Sequence, residues 1–216
     1  TTLLNRVLNS FVLLACVRRL FAGVDSTGFP LSNASVYYVN TIHKRKQPVH
    51  RYLKLTACVE LRRQLVVTQK MRRGPAGDSP DFKPVVMGAG RVLQLGTIVA
   101  DKGYDAEANH VIAHGLGAKC VIPIRQNNAS CHRTHGRYRK QIRRYGYDER
   151  AYHQRSKCET VFSVIKRVCG SCITAAKIGT QNKQMLLRLV AYNAHRLSIF
   201  CFIAEGFYTA PETQTL

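Results

Sequence analysis

The sequence predicts an α/β fold, in which strands and helices succeed one another along the chain. The first observation is a pair of strand patterns, at residues 51–61 and 64–69, which favours two adjacent antiparallel strands. The second is residues 95–124, where an apolar run, a tight glycine turn, a helical stretch and another apolar run predict a strand–helix–strand crossover. The third is the amphipathic stretch 152–166, whose apolar residues recur at helical spacing.

The length of 216 residues is sufficient for one domain with its own core. We predict a residual amino-terminal helix over residues 1–22, because leucine and valine residues fall there at helical offsets. The main domain is predicted over residues 23–204, followed by a loosely ordered tail over 205–216. Three further segments are predicted within the domain: a loop at 71–83, a short helix at 82–94 and a packing helix at 181–203.

Charge is the strongest compositional signal. The chain has 33 Lys and Arg against 12 Asp and Glu, a formal net charge of +21. A protein this basic is expected to bind a polyanion, and nucleic acid is the favoured partner. An anionic membrane fits less well, because it needs a basic amphipathic helix or a span of about 20 apolar residues. The nearest apolar run, residues 11–17, is too short to span a bilayer.

Basic residues are concentrated around the amphipathic stretch. Residues 125–167 contain twelve Lys and Arg against three acids, with tyrosines interleaved. Cations that bind phosphates, together with rings that stack on bases, are what nucleic-acid contact requires. The candidate nucleic-acid contacts in this segment are Arg139, Lys140, Arg143 and Arg144.

Cysteine usage indicates the redox environment. Eight cysteines without a convincing export signal favour reduced thiols and the cell interior, so a cytoplasmic, nucleoid-associated protein is expected. A zinc site built from the Cys169–Cys172 pair and from the segment 131–135 is disfavoured. There is no second CxxC, and the two clusters lie 34 or more residues apart.

Three acidic residues stand at positions that suit catalysis. Asp25 ends an apolar approach at a turn-rich segment, the pattern of a strand tip that presents a carboxylate. Taken alone, it is also explained as a turn-forming residue. Asp101 lies at the carboxyl end of a predicted strand, where α/β folds form their sites. Glu159 lies on the amphipathic stretch.

A polar stripe is predicted around Glu159. On one helix, offsets of three, four and seven residues return to nearly the same azimuth and align Tyr152, Arg155, Glu159 and Lys166, the four-residue set. The opposite face, predicted to pack on the core, carries Val161, Val164, Ile165 and Val168. A carboxylate between two cations suits a divalent metal beside a phosphate. The alternative is a solvated i,i+4 salt bridge between Arg155 and Glu159, of about 0.2–0.5 kcal/mol.

Four motifs in order resemble the DDE-type transposases of insertion sequences. The four-residue set matches the family's YREK signature at every spacing. Residues 25–28 resemble its first acidic motif, an Asp followed closely by Thr and Gly, and residues 101–104 resemble its second, Asp-x-Gly-Tyr. Residues 192–197 resemble its closing helix. The resemblance covers residues 24–197 and implies an RNase H-like mixed sheet flanked by helices.

The resemblance also implies chemistry. It implies a DNA transposase that cleaves at transposon ends and joins the 3′-hydroxyl to target DNA, generally as a homodimer. The implied catalytic and metal-binding residues are Asp25, Asp101 and Glu159, and the implied DNA contacts are Tyr152, Arg155 and Lys166. Three such carboxylates can hold two divalent ions about 3.5–4 Å apart, one at the nucleophile and one at the leaving oxygen. Mg²⁺ is the expected ion, with Mn²⁺ as a substitute, because all the ligands are oxygen.

Two other functions stay open. The main alternative is a truncated, catalytically inactive DNA-binding remnant of a transposase, because the chain begins with Thr and has little sequence before Asp25. An RNA-binding module ranks below both, since the sequence has neither an RRM nor a KH signature. The complete set of three acids favours the enzyme.

Overall fold

The structure, a computed structural model, describes residues 2–15, 19–31, 52–125 and 135–204, the side chains of 202–204 excepted. It is built on a five-stranded mixed sheet flanked by helices, which confirms the predicted fold class. The strands are β1 (Leu20–Pro30), β2 (Tyr52–Glu60), β3 (Leu65–Gly74), β4 (Leu95–Ala100) and β5 (Lys119–Val121). The helices are α1 (Thr2–Leu14), α2 (Ser79–Val92), α3 (Glu107–Gly115), α4 (Arg137–Tyr145), α5 (Glu149–His153), α6 (Ser156–Cys169) and α7 (Ile178–Ala204).

Strand β1 occupies the centre of the sheet, whose spatial order is β3-β2-β1-β4-β5. It pairs antiparallel with β2 and parallel with β4, and β2 pairs antiparallel with β3. Helix α3 forms the crossover between the parallel strands β4 and β5, as the pattern in residues 95–124 predicts. The carboxyl ends of the parallel strands β1 and β4 therefore lie at the same edge of the sheet.

Alternating strand residues build a hydrophobic layer on each face of the sheet. On one face, Val24 and Ile98 pack in a cluster with Phe82 of α2. On the other face, Leu55 packs in a cluster with Phe162 of α6 and with residues of α7. Helix α6 thus packs on this second face of the sheet and contacts β1.

The closing helix α7 is fastened to β3 by polar contacts. Asn193 is fully buried, accepts a hydrogen bond from the Val66 N–H at 2.9 Å and donates one to the Val66 carbonyl at 2.8 Å. The Tyr192 hydroxyl donates to the Gln64 carbonyl at 2.8 Å. The predicted packing helix is confirmed and begins at Ile178. In the described part of the chain, no helix is long and apolar enough to cross a lipid bilayer.

Two boundaries near the amino terminus differ from the prediction. Helix α1 ends at Leu14, and residues 20–22, predicted to be helical, begin β1 because Leu20 and Ala22 are buried in the sheet. Strand β1 then continues through residues 25–30, predicted as a turn, since β2 pairs with it as far as Pro30. Backbone pairing along the whole strand outweighs the local turn preference of these residues.

The predicted loop at 71–83 is mostly regular structure. Strand β3 runs to Gly74, and α2 begins at Ser79 rather than at Phe82. Pro80 is compatible with this start, because N–H groups in the first turn of a helix have no intrahelical acceptor. The predicted tail, 205–216, lies outside the described residues.

The amphipathic stretch 152–166 is not one continuous helix. Helix α5 ends at His153 and α6 begins at Ser156, with a turn between them. Val161 and Ile165 are buried as predicted, whereas Val168 is 62% exposed. The prediction of one continuous helix is therefore wrong: Tyr152 lies on α5, Arg155 in the turn, and Glu159 and Lys166 on α6.

Candidate active site

The register of β1 and β4 places two acids side by side. The last registered pair of these parallel strands is Val24 with Ala100, and the residue that follows each is acidic: Asp25 within β1 and Asp101 directly after β4. Asp25 lies within β1 rather than beyond its end, and its Oδ1 accepts a hydrogen bond from the Ser26 N–H at 2.9 Å. Its side chain is 16% exposed.

Close packing of α6 on β1 brings the third acid to the same place. Gly23 has no side chain, and a Cβ there would lie 2.8 Å from Leu61 Cδ2 and still closer to the Cys158 sulfur. Glu159 follows Cys158 on α6. The glycine thus permits an approach of helix and strand that a larger residue would prevent.

Arg155 joins two of the three acids. Its Nη1 donates to Asp25 Oδ2 at 3.2 Å, and its Nη2 lies 2.9 Å from Glu159 Oε1. The i,i+4 pair predicted as an alternative is therefore present, but the same guanidinium also reaches a carboxylate of the central strand. Asp25 is largely buried, whereas the Glu159 side chain is 61% exposed.

The other two members of the four-residue set contact the acidic motifs directly. The Tyr152 hydroxyl donates to Asp101 Oδ1 at 3.3 Å. The Lys166 Nζ donates to Thr27 Oγ1 at 2.7 Å and lies 5.2 Å from the centre of the Phe29 ring. The structure therefore brings the four-residue set together with Asp25 and Asp101.

A cleft of about 520 Å³ opens between β1 and α6 beside these residues. Asp25 and Glu159 line it from opposite elements, and Lys166 and Arg167 add positive charge. Carboxylates and cations therefore face one open space. Such a space suits an anionic substrate whose charge is neutralised by the cations of α6.

The charges of the site influence one another. Burial raises the pKa of Asp25 to about 6; the Ser26 N–H and Arg155 act against this rise, whereas Asp101 and Glu159 add to it. Burial also lowers the pKa of Arg155, but attraction by Asp25, Glu159 and Asp101 outweighs this effect and raises it. The three acids and Arg155 therefore form one interacting group.

The donor chemistry of this group fits a hard divalent cation. All three side chains offer carboxylate oxygens, and the carboxylate of Asp25, whose pKa is raised by burial and further by two neighbouring acids, gains from an added positive charge. In this arrangement Arg155 supplies that charge. Among the described residues, no three potential metal ligands already stand together as a coordination group. Cys131 and His132 of the disfavoured zinc cluster lie outside the described residues.

A hydroxyl network behind the acids was not predicted. Tyr104 is 1% exposed, and its hydroxyl lies 2.6 Å from the Ser26 hydroxyl. Ser26 in turn lies 3.1 Å from the Thr56 hydroxyl, which donates to Asp81 at 3.3 Å. The sequence carried a signal for part of this network, because Ser26 and Tyr104 belong to the two short acidic motifs.

The basic candidates lie on α4, which buries none of its residues. Lys140, Arg143 and Arg144 are exposed, as a nucleic-acid contact requires. Arg139 differs, because its guanidinium pairs with both oxygens of Asp105, at 2.8 and 2.9 Å. Arg137 is exposed as well, although it was not among the predicted nucleic-acid contacts.

Comparisons with known proteins extend these observations. Residues 19–194 match the family model described as "Transposase DDE domain". The solved structure of piggyBac transposase in a synaptic complex with hairpin DNA has a TM-score of 0.52 at 10% identity, over 86% of this chain and 48% of that chain. A pre-cleavage Mos1 transpososome has a TM-score of 0.34 at 13% identity, over 96% of this chain and 64% of that chain. The chain thus spans about half the length of the piggyBac protein. A search of curated proteins finds no match.

Proposed function

Because the chain belongs to the DDE transposase family, we propose that it cleaves DNA at transposon ends and joins the 3′-hydroxyl to target DNA by metal-dependent phosphoryl transfer. The observation that carries the proposal is the contact of Arg155 with both Asp25 and Glu159, beside the register that sets Asp101 next to Asp25. Asp25 of the central strand, Asp101 directly after the neighbouring strand and Glu159 of α6 thereby come together at one place.

Each acid has a role in this proposal. Asp25, Asp101 and Glu159 would hold divalent ions, with Mg²⁺ as the natural ion and Mn²⁺ as a substitute. Bound ions would activate the attacking water or 3′-hydroxyl and stabilise the leaving oxygen. The position of Asp25 on β1 and of Asp101 directly after the neighbouring strand β4 would fix the ligand positions before substrate arrives.

The cations and the tyrosine would bind the substrate. Arg155 presents a planar fork, which binds two phosphoryl oxygens better than a point charge does. Lys166 is held at the cleft by Thr27, at 2.7 Å, and would contact a neighbouring phosphate. Tyr152 keeps Asp101 oriented through its hydroxyl and offers its ring to DNA near the scissile bond.

DNA is the partner that the charge of the chain favours. A net charge of +21 suits a phosphate backbone, and the similar piggyBac transposase was solved with hairpin DNA. The exposed residues Lys140, Arg143 and Arg144 would extend the contact beyond the cleft. A homodimer remains what the family resemblance implies, and a nucleoid-associated cytoplasmic location remains a prediction from the sequence.

Nicking of supercoiled plasmid by the purified chain tests the function. We expect Mg²⁺ or Mn²⁺ to support nicking and a chelator to abolish it. Asp101→Asn and Glu159→Gln should abolish nicking while leaving salt-sensitive DNA binding largely intact. Nicking by either variant at the parental rate would contradict the assignment of the acids. Parental DNA binding without nicking would favour the inactive remnant.

A further inference from the structure

Helix α4 is attached to the rest of the molecule in an unusual way for a helix. It is the most basic helix of the described chain and buries none of its residues, so burial of apolar surface does not hold it in place. Its described contacts run instead to acidic and histidine side chains in and just before α3. These contacts determine which of its cations point inward and which point outward.

The central contact is the ion pair of Arg139 with Asp105. Two hydrogen bonds form a bidentate pair, and the Asp105 side chain is only 1% exposed. Burial alone would raise the pKa of Asp105, but nearby His110 and the Arg139 pair lower it to about 2. Asp105 also accepts a hydrogen bond from the Arg125 N–H at 3.0 Å. Asp105 is therefore ionised and committed to Arg139 at neutral pH.

A second acid caps the helix from outside. The Glu107 carboxylate accepts hydrogen bonds from the N–H groups of Tyr138 and Arg139, at 3.0 and 3.1 Å. These groups lie in the first turn of α4, which has no side-chain cap of its own. Gly136 makes the approach feasible, because its φ is +98° and a Cβ there would overlap the Glu107 carboxylate.

A ring contact completes the attachment and orients the helix. Tyr138 stacks on His114, with ring centres 4.1 Å apart and planes 10° from parallel. Because Tyr138 and Arg139 face inward, residues on the opposite azimuth face solvent. Arg137, Lys140 and Arg144 are exposed there at offsets of three and seven residues, and we name them the outer stripe.

We infer that Asp105 and Glu107 position α4 so that its outer stripe binds the phosphate backbone of duplex DNA. The inference rests on the proposed function in that it takes DNA as the partner. It separates the cations of α4 into an anchor, Arg139, and DNA contacts, Arg137, Lys140 and Arg144. It also means that two acids, Asp105 and Glu107, strengthen the binding of a polyanion.

That last consequence makes the inference testable, because charge alone predicts the opposite. Removing an acid makes the protein more basic and should strengthen DNA binding if only net charge matters. If Asp105 positions α4, Asp105→Asn should weaken binding. Arg139→Gln breaks the same pair with the opposite change of charge, so the two variants form a matched set.

Fluorescence anisotropy with a labelled duplex of about 30 base pairs, at several salt concentrations between about 50 and 200 mM, is the measurement. We expect Asp105→Asn and Arg139→Gln each to raise Kd by about threefold to tenfold. The Kd of the double variant should not exceed the higher Kd of the two single variants, because both changes break the same pair. The charge-matched control is Glu149→Gln, an exposed acid on α5, which should bind as tightly as the parent or tighter. Parental or tighter binding by Asp105→Asn would overturn the positioning role.

One additional variant protects the test from an effect on folding, and two triple variants test the surface itself. The Asp105 side chain is buried, so thermal unfolding is followed for each chain, and Glu107→Gln, at a partly exposed residue, replaces Asp105→Asn if the latter unfolds. Changing the outer stripe to Gln should reduce the slope of log K against log salt by about three units. The matched triple change, Arg91, Lys177 and Lys183 to Gln, should reduce it less. Equal slopes for the two triple variants would contradict DNA binding by the outer stripe. Failure of the parent to bind duplex DNA would contradict the proposed function itself.

Discussion

The Tyr104 hydroxyl lies 2.6 Å from the Ser26 hydroxyl, so the turn that follows Asp101 is bonded to the strand that carries Asp25. The Tyr104 ring is buried against Phe82, with ring centres 5.9 Å apart, which fixes the direction of the hydroxyl. The bond therefore contributes to the relative position of the two acids from a buried tyrosine. In an enzyme that depends on converging carboxylates, such support determines how well the ligand positions are preserved.

Tyr104→Phe should lower both stability and activity. It removes one buried hydrogen bond while Ser26 keeps its contact with Thr56 at 3.1 Å, so the free energy of unfolding should fall by about 1 kcal/mol. Urea unfolding measures this loss, and plasmid nicking measures the loss of alignment. Tyr145→Phe is the control, because that side chain is 74% exposed and should affect neither quantity. Unchanged nicking by Tyr104→Phe would show that the bond does not position the acids.

The pKa of Asp25 predicts a pH dependence of stability. Burial raises this pKa from 3.8 to about 6, so the native state binds the proton more tightly than the unfolded chain does. The contribution of Asp25 to stability is therefore fully present below pH 3.8 and is lost as the pH rises to about 6. Asp25→Asn cannot ionise, so in chelator its stability relative to the parent should increase across that range. A relative stability independent of pH would contradict the raised pKa.

The same pKa bears on metal binding. A protonated Asp25 cannot serve as a ligand, so metal-dependent nicking should decline as the pH falls below about 6. Higher Mn²⁺ concentration should shift the decline to lower pH, because the metal competes with the proton. A decline that occurs at the same pH at every metal concentration would indicate a different titrating group.

Gly23→Ala should separate α6 from β1. The added methyl group would lie 2.8 Å from Leu61 Cδ2 and closer to the Cys158 sulfur, an overpacking that costs about 1–3 kcal/mol. Chemical denaturation measures the cost. Combining it with Cys158→Ala removes one of the two clashes, so the double variant should be more stable than the sum of the single changes predicts. Simple additivity would mean that the helix does not pack as the structure describes.

Arg155→Ala should weaken DNA binding and flatten its salt dependence by about one unit of slope, because one phosphate contact is lost. Arg155→Lys keeps the charge but not the planar fork, so it should restore the slope more fully than the nicking rate. The salt titration of the three chains is the measurement. An unchanged slope for the alanine variant would exclude a phosphate contact at this position.

Much of the fold follows from local patterns. The crossover through α3 was predictable because an apolar run, a glycine turn and a helix occur in immediate succession. The extent of β1 was not, because Ser26, Gly28 and Pro30 favour turns and pairing with the partner strand β2 keeps them extended. The helix break before Ser156 was also hidden, since it contains neither Pro nor Gly.

The candidate site also has features that the sequence predicts and features that it does not. That Asp25, Asp101 and the four-residue set come together was predictable from the order of the sequence motifs and the spacing of the set, even though the single helix assumed for the set was wrong. The inward direction of Arg139 was not, because only the fold brings Asp105 within 2.8 Å of it. In a run of similar cations, tertiary contacts decide which residues are anchors and which face solvent.

Iron-directed cleavage of the protein backbone tests most directly whether Asp25, Asp101 and Glu159 form one divalent-ion site. Fe²⁺ replaces Mg²⁺, ascorbate and peroxide generate radicals at the bound ion, and the cut positions are read by mass spectrometry. We expect cuts close to all three acids, which excess Mg²⁺ suppresses and Asp25→Asn abolishes. Cuts confined to other acids, such as Asp78 and Asp81, or a pattern unchanged in Asp25→Asn, would contradict the assignment.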